Sequence, residues 1–291
     1  MSNQKLIYHG LVSRYSTLAI DLEILKSAGF DGLEISAQKM RDVLAAGYTR
    51  EELASWLKDI YIPGIGFLLD VERHGADEAN LMAETREMLG LAKVAGAKGL
   101  QVITGPVQVK AVEELAAGGS SGLYEGVLRL PRAEQVSITV QNLTRIADLA
   151  AQQGSVVYFE ALAWTPLNKL SDQIEVIERA ERSNVKLIVD FWHCYASGDN
   201  PEDVARLDKN MIYGVHVCDS LPFAGGIPNE AILRDVPTGA GALNLREWTD
   251  AVKSTGYKGW WSCELFCRRQ QLGNSFEVAR ELQSLMSTLV Q

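Results

Sequence analysis

Short runs of apolar residues alternate along the chain with longer stretches in which apolar residues recur every three or four positions. The short runs are rich in β-branched and aromatic residues, which is typical of parallel strands that are buried on both faces. Eight such runs occur, at 6–12, 30–36, 62–71, 98–106, 155–162, 185–193, 211–220 and 259–266. The alternation predicts an α/β protein, a (β/α)8 TIM barrel in which a helix follows each strand.

The stretches between these runs have the spacing of amphipathic helices, most clearly at 77–95 and 133–153. Barrels of this type form one domain of about 250 residues or more, so we expect a single domain over 1–291. Two strand-to-helix intervals, at about 107–132 and 221–243, are long and contain glycine clusters. Long loops in compact domains commonly act as lids or binding loops, although a surface insertion without function is the alternative.

Charge and composition narrow the partners that the chain could bind. The formal net charge is −9, from 37 acidic and 28 basic residues, so no basic face is expected for nucleic acid or an anionic membrane. A small uncharged substrate fits this charge better. The amino-terminal segment has no secretory pattern, and no apolar run approaches the length of about 18 residues that a membrane span needs. These features predict a cytoplasmic protein.

Ionisable residues stand at or near the carboxyl ends of the last four predicted strands. They are Glu160, Asp190, His216 and Glu264. The carboxyl ends of barrel strands form the rim where catalytic residues converge. Three carboxylates repel one another unless a cation lies between them, and three oxygens with one nitrogen suit Mn²⁺, Mg²⁺, Co²⁺ or Zn²⁺. A single strand-end carboxylate is commonly a salt-bridge or capping group, but four consecutive strands favour one divalent metal ion.

Two further candidates each follow a predicted metal ligand by three residues, His193 after Asp190 and Asp219 after His216. We expect both to lie where a strand gives way to its loop and can turn back towards the site. His193 is interpreted as a catalytic residue that donates to a substrate hydroxyl or joins the ligands. Asp219 is interpreted as a partner that orients His216 or contacts substrate. Capping of the loop is the alternative for both residues.

Other residues are predicted to line the substrate side of the rim. His9 and Glu34 belong to the first two strands, where a rim hydrogen bond is the alternative role. Trp192 lies between Asp190 and His193 in the sequence and is a candidate for stacking on a sugar face, although packing is the usual role of such an aromatic. Arg234 lies in the 221–243 loop and is predicted to bind substrate.

Four motifs in the C-terminal half resemble a known family. They are LIVDFWHCYASGDN at 187–200, HVCD at 216–219, RDVPTGAG at 234–241 and WSCELF at 261–266. Together they resemble the xylose isomerase-like TIM barrel superfamily, also called the sugar phosphate isomerase/epimerase group, and the resemblance runs end to end. Within that superfamily, the C-terminal half is most similar to the 2-keto-myo-inositol isomerases.

The resemblance implies a site and a reaction. By analogy, the matching residues Glu160, Asp190, His216 and Glu264 hold one metal, while the two glutamates remove and return a proton. His193 contacts a substrate oxygen, and Arg234 reaches the same pocket. The expected activity is isomerisation or epimerisation of a keto-sugar or keto-inositol through a metal-stabilised enediolate. A carbohydrate or cyclitol is therefore the expected substrate, and a homo-oligomer is compatible with the resemblance.

Three other readings remain open. The first is a lyase on the same scaffold, which shares the initial proton removal. It is either of the inosose or dehydroshikimate dehydratase type or an enzyme that eliminates a sugar from a 3-keto-glycoside. A sugar-binding barrel without catalysis is less favoured, because all four ligands are present. An endonuclease IV-like DNA repair enzyme is disfavoured by the acidic charge and the lack of further histidines on the earlier strands. Pro166 stands where ketose 3-epimerases of the superfamily carry another glutamate, which counts against that subgroup.

Overall fold

The computed structural model describes residues 4–120 and 122–291, and this part of the chain forms a closed barrel of eight parallel strands. The strands are paired in sequence order, and the last pairs with the first. They are β1 Lys5–His9, β2 Gly32–Ser36, β3 Ile65–Leu68, β4 Gly99–Ile103, β5 Val156–Glu160, β6 Val185–Asp190, β7 Ile212–His216 and β8 Trp260–Ser262. Each of the eight apolar runs contains one strand, so the predicted (β/α)8 barrel is confirmed.

Helices surround the strands, and the longer ones bury an apolar face against the barrel. Within the described residues they are α1 Leu18–Ala28, α2 Ala37–Ala45, α3 Arg50–Leu57, α4 Glu78–Ala95, α5 Val109–Ala116, α6 Arg132–Ala151, α7 Leu170–Ala180, α8 Phe191–Ser197, α9 Pro201–Ala205, α10 Glu230–Leu233, α11 Leu245–Ser254, α12 Arg268–Gln271 and α13 Ser275–Val290. The helices predicted at 77–95 and 133–153 correspond to α4 and α6, with ends that differ by one or two residues. None of the described helices has both the length and the apolar character that a membrane crossing requires.

A small cluster of large side chains, distinct from the main core, packs below the rim. Ile7, Tyr158, Ile188 and Trp260 form this cluster, and each is at most 3% exposed. Gly214 on β7 makes room for it, because a Cβ there would lie 2.1 Å from an indole carbon of Trp260. Packing of this kind is typical of a barrel whose interior is a core rather than a channel, and it supports the polar residues at the strand ends above.

Both long loops contain helical segments that the sequence pattern did not predict. In the 107–132 interval, α5 places Val109 and Val112 against a cluster of apolar side chains beside the rim. The 221–243 interval contains the short helix α10. These apolar positions have helical spacing, but the flanking glycines obscured it because they suggested an irregular loop.

Candidate metal centre

The carboxyl ends of the last four strands bring four ionisable side chains together. Glu160, Asp190 and His216 are the final residues of β5, β6 and β7, and Glu264 follows the end of β8 by two positions. One ligand atom from each side chain lies within 4.8 Å of the corresponding atoms of the other three. All four residues are at most 5% exposed. The parallel register produces this convergence, since Asp190 and His216 are paired neighbours on adjacent strands.

Two of the four ligand atoms in this cluster lack hydrogen-bond partners among the described residues. Within the described part of the chain, neither Nδ1 of His216 nor Oε1 of Glu160 makes a hydrogen bond, although both are buried. Nδ1 of His216 lies 3.7 Å from Asp190 Oδ2, 3.8 Å from Glu160 Oε1 and 3.9 Å from Glu264 Oε2. Buried polar atoms without partners are costly. Three carboxylates and one imidazole aimed at a common point fit a divalent cation.

The electrostatics of the cluster reflect the closeness of these charges. Burial raises the pKa of Glu160 to about 7. Burial also acts to raise the pKa of Asp190, but the nearby Arg234 guanidinium, His193 and His216 together outweigh it and hold that pKa below its usual range. For His216, burial acts to lower the pKa, but the carboxylate of Glu34 and other acidic neighbours raise it well above its usual value. The site therefore favours a positive charge among its carboxylates.

Glu34 orients the imidazole of His216 from the opposite side of the barrel. Its Oε2 lies 3.1 Å from Nε2 of His216, and its carboxylate also accepts hydrogen bonds from Tyr158 and Ser262, each at 2.9 Å. Metal-binding histidines commonly use their second nitrogen in this way, which turns the first towards the metal. Glu34 lines a cavity of about 20 Å³ beside His9, but its oxygens are largely occupied by these contacts.

The predicted role of Asp219 as the partner of His216 is wrong. The side chain of Asp219 points into the following loop, where its oxygens accept backbone N–H groups of Gly239 and Gly241 at 2.9 Å and of Leu243 at 3.2 Å. Asp219 lies three residues beyond the end of β7, so it has already left the register that aims side chains at the site. It shapes the loop that carries Arg234, which was the alternative considered for it.

His193 presents one ring nitrogen to the site. Its backbone N–H donates to the side chain of Asp190 at 2.7 Å, which caps helix α8, and its Nδ1 accepts the N–H of Ala163 at 3.1 Å. The second contact assigns the ring proton to Nε2, and burial lowers the pKa of His193 to about 4. Nε2 lies 3.9 Å from Oε1 of both Glu160 and Glu230. His193 is therefore a neutral donor beside the metal cluster.

Arg234 is fully enclosed by the site and lies over the ligands from β6 and β8. Its guanidinium donates to Glu264 Oε2 at 3.0 Å and to Glu230 Oε1 at 2.8 Å, and it lies 3.6 Å from Asp190 Oδ2. The expectation that Trp192 stacks on substrate is not met, because Trp192 is 0% exposed and packs 5.3 Å from this guanidinium. The aromatic ring supports Arg234 instead of facing substrate.

Three residues that contact the cluster were missed in the sequence. Glu230 pairs with Arg234, and burial raises its pKa to about 7; the four-residue spacing of these two opposite charges was the available signal. Gln101 on β4 donates to Glu160 Oε2 at 2.6 Å, and its signal was a polar residue inside an apolar strand. The third residue is Cys218, whose Sγ lies 2.9 Å from Asp190 Oδ2.

His9 faces the same space from β1. Its Nδ1 accepts the N–H of Leu11 at 3.1 Å, which places the ring proton on Nε2. Nε2 is buried without a hydrogen-bond partner among the described residues, 3.6 Å from Glu34 Oε2 and 3.8 Å from Glu264 Oε1. The β1 side of the site thus contributes a second neutral donor, opposite His193.

Comparisons with known proteins agree with the barrel fold. The family model described as "Xylose isomerase-like TIM barrel" matches residues 22–288. Inosose isomerase of Halalkalibacterium halodurans is 26% identical over 253 residues, which cover 86% of this chain and 83% of that protein. Inosose dehydratase of Geobacillus thermodenitrificans is 24% identical over 155 residues, 50% of this chain and 52% of that protein. The crystal structure of the IolI protein with a bound zinc atom superposes with a TM-score of 0.84 at 21% identity, covering 98% of both chains.

Proposed function

Since the chain belongs to the xylose isomerase-like TIM barrel family, we propose that it is a divalent-metal-dependent isomerase or epimerase of a keto-sugar or keto-inositol. The observation that carries this proposal is the convergence of four buried ligand atoms, two of which lack any hydrogen-bond partner within the described residues. The similarity to inosose isomerases supports a keto-inositol as the substrate class.

Glu160, Asp190, His216 and Glu264 would hold the metal. When bound, a divalent ion at this position supplies Lewis-acid polarisation of the substrate carbonyl and offsets the negative charge that develops after proton removal. Glu34 contributes by fixing the ring of His216 through its 3.1 Å contact with Nε2.

Glu160 and Glu264 are the groups that move the proton. Gln101 holds Oε2 of Glu160 at 2.6 Å and leaves Oε1 to take a proton from the carbon next to the carbonyl. Glu264, in its protonated form, approaches from β8 and delivers its proton to the former carbonyl carbon, which gives isomerisation when the hydroxyl proton of the deprotonated carbon passes to the former carbonyl oxygen. Delivery to the other face of the deprotonated carbon gives epimerisation instead. Proton exchange with solvent then restores both carboxyl groups. Proton transfer of this kind contributes about 10²- to 10⁴-fold to the rate.

His193 and His9 are the donors that orient the substrate. Each ring carries its proton on Nε2 and points that N–H towards the site from opposite sides of the barrel. Hydroxyl and carbonyl oxygens of a ring substrate are natural acceptors for these groups. Arg234 positions the carboxylate of Glu264 and, together with the loop around it, excludes water from the reacting carbons.

A lyase activity is the second candidate, and the position of Glu230 favours it. Burial raises the pKa of this carboxyl to about 7, so near neutral pH a substantial fraction retains the proton that a leaving hydroxyl needs. It lies 3.9 Å from Nε2 of His193, at the edge of the site. The same proton abstraction by Glu160, followed by loss of a β-hydroxyl, would give dehydration. The similarity to inosose dehydratase is consistent with this alternative.

Proton exchange in D₂O distinguishes these reactions. Metal-loaded and chelator-treated protein is incubated with 2-keto-myo-inositol, ketoses and 3-keto-glycosides, and NMR spectra report deuterium uptake and product together. We expect metal-dependent uptake at the carbon beside the carbonyl, with an isomer or epimer as the product. An unsaturated product would favour the lyase, while the absence of exchange with every substrate by the metal-loaded protein would contradict the proposal.

A further inference from the structure

A large cavity adjoins the metal centre on the side of β1, β2 and β3. It has a volume of about 810 Å³ and is lined by the loop after β1, by helix α2 and by the residues that follow α2. We call it the outer cavity. Its volume is within the range that proteins use to bind drug-sized ligands, about 300–1,000 Å³, and exceeds what a single six-membered sugar ring fills.

The outer cavity is adjacent to the space beside the reacting groups and shares part of its wall with it. Gly10, Leu11, Ser36 and Phe67 line both the outer cavity and the 20 Å³ cavity that contains His9. The ring of Phe67 lies nearly parallel to that of His9, with 6.4 Å between their centroids. A group attached to a ring beside His9 would therefore extend past Phe67 into the outer cavity.

The opposite side of the site is closed. Arg234 fills the space between the ligands of β6 and β8 and contacts both of them. Trp192 packs behind it, and Glu230 anchors it from α10. The side of β1, β2 and β3 is therefore the open side, and a substituent on the substrate ring would extend towards it.

The wall of the outer cavity contains both aromatic rings and hydrogen-bonding groups. Tyr15 and Tyr48 are 64% and 45% exposed, and Tyr48 packs edge-on against Trp56 at 4.9 Å. Exposed aromatic rings of this kind stack on the apolar faces of sugars. Arg14 makes no hydrogen bond or ion pair with any residue in 4–120 or 122–291.

A polar pair on α2 completes the lining. Gln38 donates to Oδ1 of Asp42 at 2.8 Å, and both residues are exposed to the cavity. The second carboxylate oxygen of Asp42 and the amide oxygen of Gln38 remain as acceptors for hydroxyl groups. Aromatic faces together with such acceptors suit a ring that has apolar faces and a polar edge, which is the chemistry of a sugar.

We propose that the outer cavity is a subsite for a second, uncharged sugar ring that is glycosidically attached to the keto ring held at the metal centre. This rests on the proposed function for the position of the keto ring. The substrate class is accordingly a glycoside of a keto-sugar or keto-cyclitol, rather than the free monocyclic compound. Tyr15 and Tyr48 stack on the second ring, while Arg14, Gln38 and Asp42 bind its hydroxyl groups.

The test measures binding with unreactive probes, so that it does not depend on turnover. Zinc-loaded protein is titrated by calorimetry with myo-inositol, with galactosyl-myo-inositol in both anomeric forms and with myo-inositol 1-phosphate. We expect one galactosyl form to bind at least tenfold more tightly than myo-inositol. Saturation-transfer NMR should show magnetisation reaching the protons of its galactosyl ring.

Two variants test whether the gain in affinity for the galactosyl form comes from the outer cavity. The double variant Tyr15→Ala, Tyr48→Ala should reduce the affinity ratio of the galactosyl form to myo-inositol to about one and remove saturation from the galactosyl ring. Leu272→Ala is the matched control, because Leu272 is 74% exposed and lies outside the outer cavity. This control should keep the wild-type ratio.

Several results would overturn the proposal. These are a ratio near one in the wild type, no binding of either galactosyl form, or an undiminished ratio in the double variant. Tighter binding of the phosphate than of both galactosyl forms would assign the cavity to an anionic group held by Arg14 instead. The proton-exchange experiment is independent: exchange without a galactosyl preference contradicts only the subsite, and a galactosyl preference without exchange contradicts only the proposed function.

Discussion

Two buried clusters of charge lie at the rim of this barrel, and they are organised in opposite ways. Beside β1, the ammonium of Lys39 lies 2.8 Å from both oxygens of Asp21 and also donates to the carbonyls of Gly10 and Ser13. Asp21 accepts further bonds from the hydroxyls of Ser13 and Ser16. Every charged atom of this pair is matched by a partner within the protein.

In the candidate metal centre, by contrast, not every polar atom has a partner within the described part of the protein. It gathers three carboxylates around His216, and atoms of His216 and Glu160 point inward without a hydrogen-bond partner in the described chain. Both clusters are buried, so burial of charge alone does not separate a structural site from a functional one. The separating feature is the convergence of unmatched donor atoms, which indicates a ligand that the protein itself does not supply.

The largest expected effect is at Glu264. We expect Glu264→Gln to lower kcat/KM by about 10³-fold or more, because the variant loses a proton-transfer group and a negatively charged metal ligand. The rate of deuterium exchange on a confirmed substrate measures this loss, and metal analysis should show weaker binding. Far-UV circular dichroism should match the wild type. Wild-type activity in this variant would remove Glu264 from the mechanism.

Lys39→Met should instead damage the fold. It leaves the carboxylate of Asp21 buried without its cation, which typically costs about 3–5 kcal/mol of unfolding free energy. Urea denaturation measures this cost. The control is Lys26→Met, whose side chain is 68% exposed and pairs with Glu23 at 3.4 Å, and it should cost at most about 1 kcal/mol. Equal effects of the two variants would contradict the structural role of the Lys39 pair.

Metal binding should stabilise the folded protein through the candidate metal centre, without involving the pair of Lys39 and Asp21. Zinc at a free concentration 100 times its dissociation constant is expected to raise the unfolding free energy by about 2.7 kcal/mol, and a chelator should reverse the gain. Denaturation with and without zinc measures this increment. It should persist in Lys39→Met and shrink in Glu264→Gln at the same zinc concentration. An unchanged increment in Glu264→Gln would place the metal elsewhere.

Glu72, a third buried ionisable group, allows a test of how burial of a carboxyl changes the pH dependence of stability. It is 1% exposed, accepts the N–H of Gly105 at 2.8 Å, and burial raises its pKa from 4.5 to about 7. As the pH rises from 4.5 to about 7, Glu72 loses its proton in the unfolded chain before it does so in the folded protein. The unfolding free energy therefore falls over this range, and the destabilisation caused by the buried carboxylate is complete above about pH 7. Glu72→Gln should therefore be more stable than the wild type by about 3 kcal/mol at pH 8, with little difference at pH 4. Denaturation midpoints at the two pH values measure this, and a pH-independent difference would contradict it.

The smallest expected effect is at Arg234. We expect Arg234→Ala to lower kcat/KM by about tenfold, which corresponds to about 1.4 kcal/mol, because Glu264 loses a charged hydrogen bond and the site loses part of its cover. The metal content should stay at the wild-type level, since Arg234 is not a ligand. Loss of metal equal to that in Glu264→Gln would show that the arginine maintains the ligands themselves.

The sequence was sufficient to predict the barrel and the four metal candidates, because both follow from local patterns. Apolar runs identify parallel strands, and a charge at a strand end has a known position in a barrel. The contact of Glu34 with His216 could not be predicted, because it joins strands from opposite parts of the ring. Asp219 and Trp192 were misread because they lie beyond strand ends, where the loop path decides side-chain direction.

The pairing of β8 with β1 has a consequence for the synthesis of the protein. A ribosome makes β8 after the other seven strands, and Glu264 follows it on the chain. A nascent chain that stops before this point therefore lacks both the strand that closes the ring and one of the four side chains of the candidate metal centre. Under the proposed function, closure of the barrel and stabilisation by the metal are gained at the same late stage of synthesis.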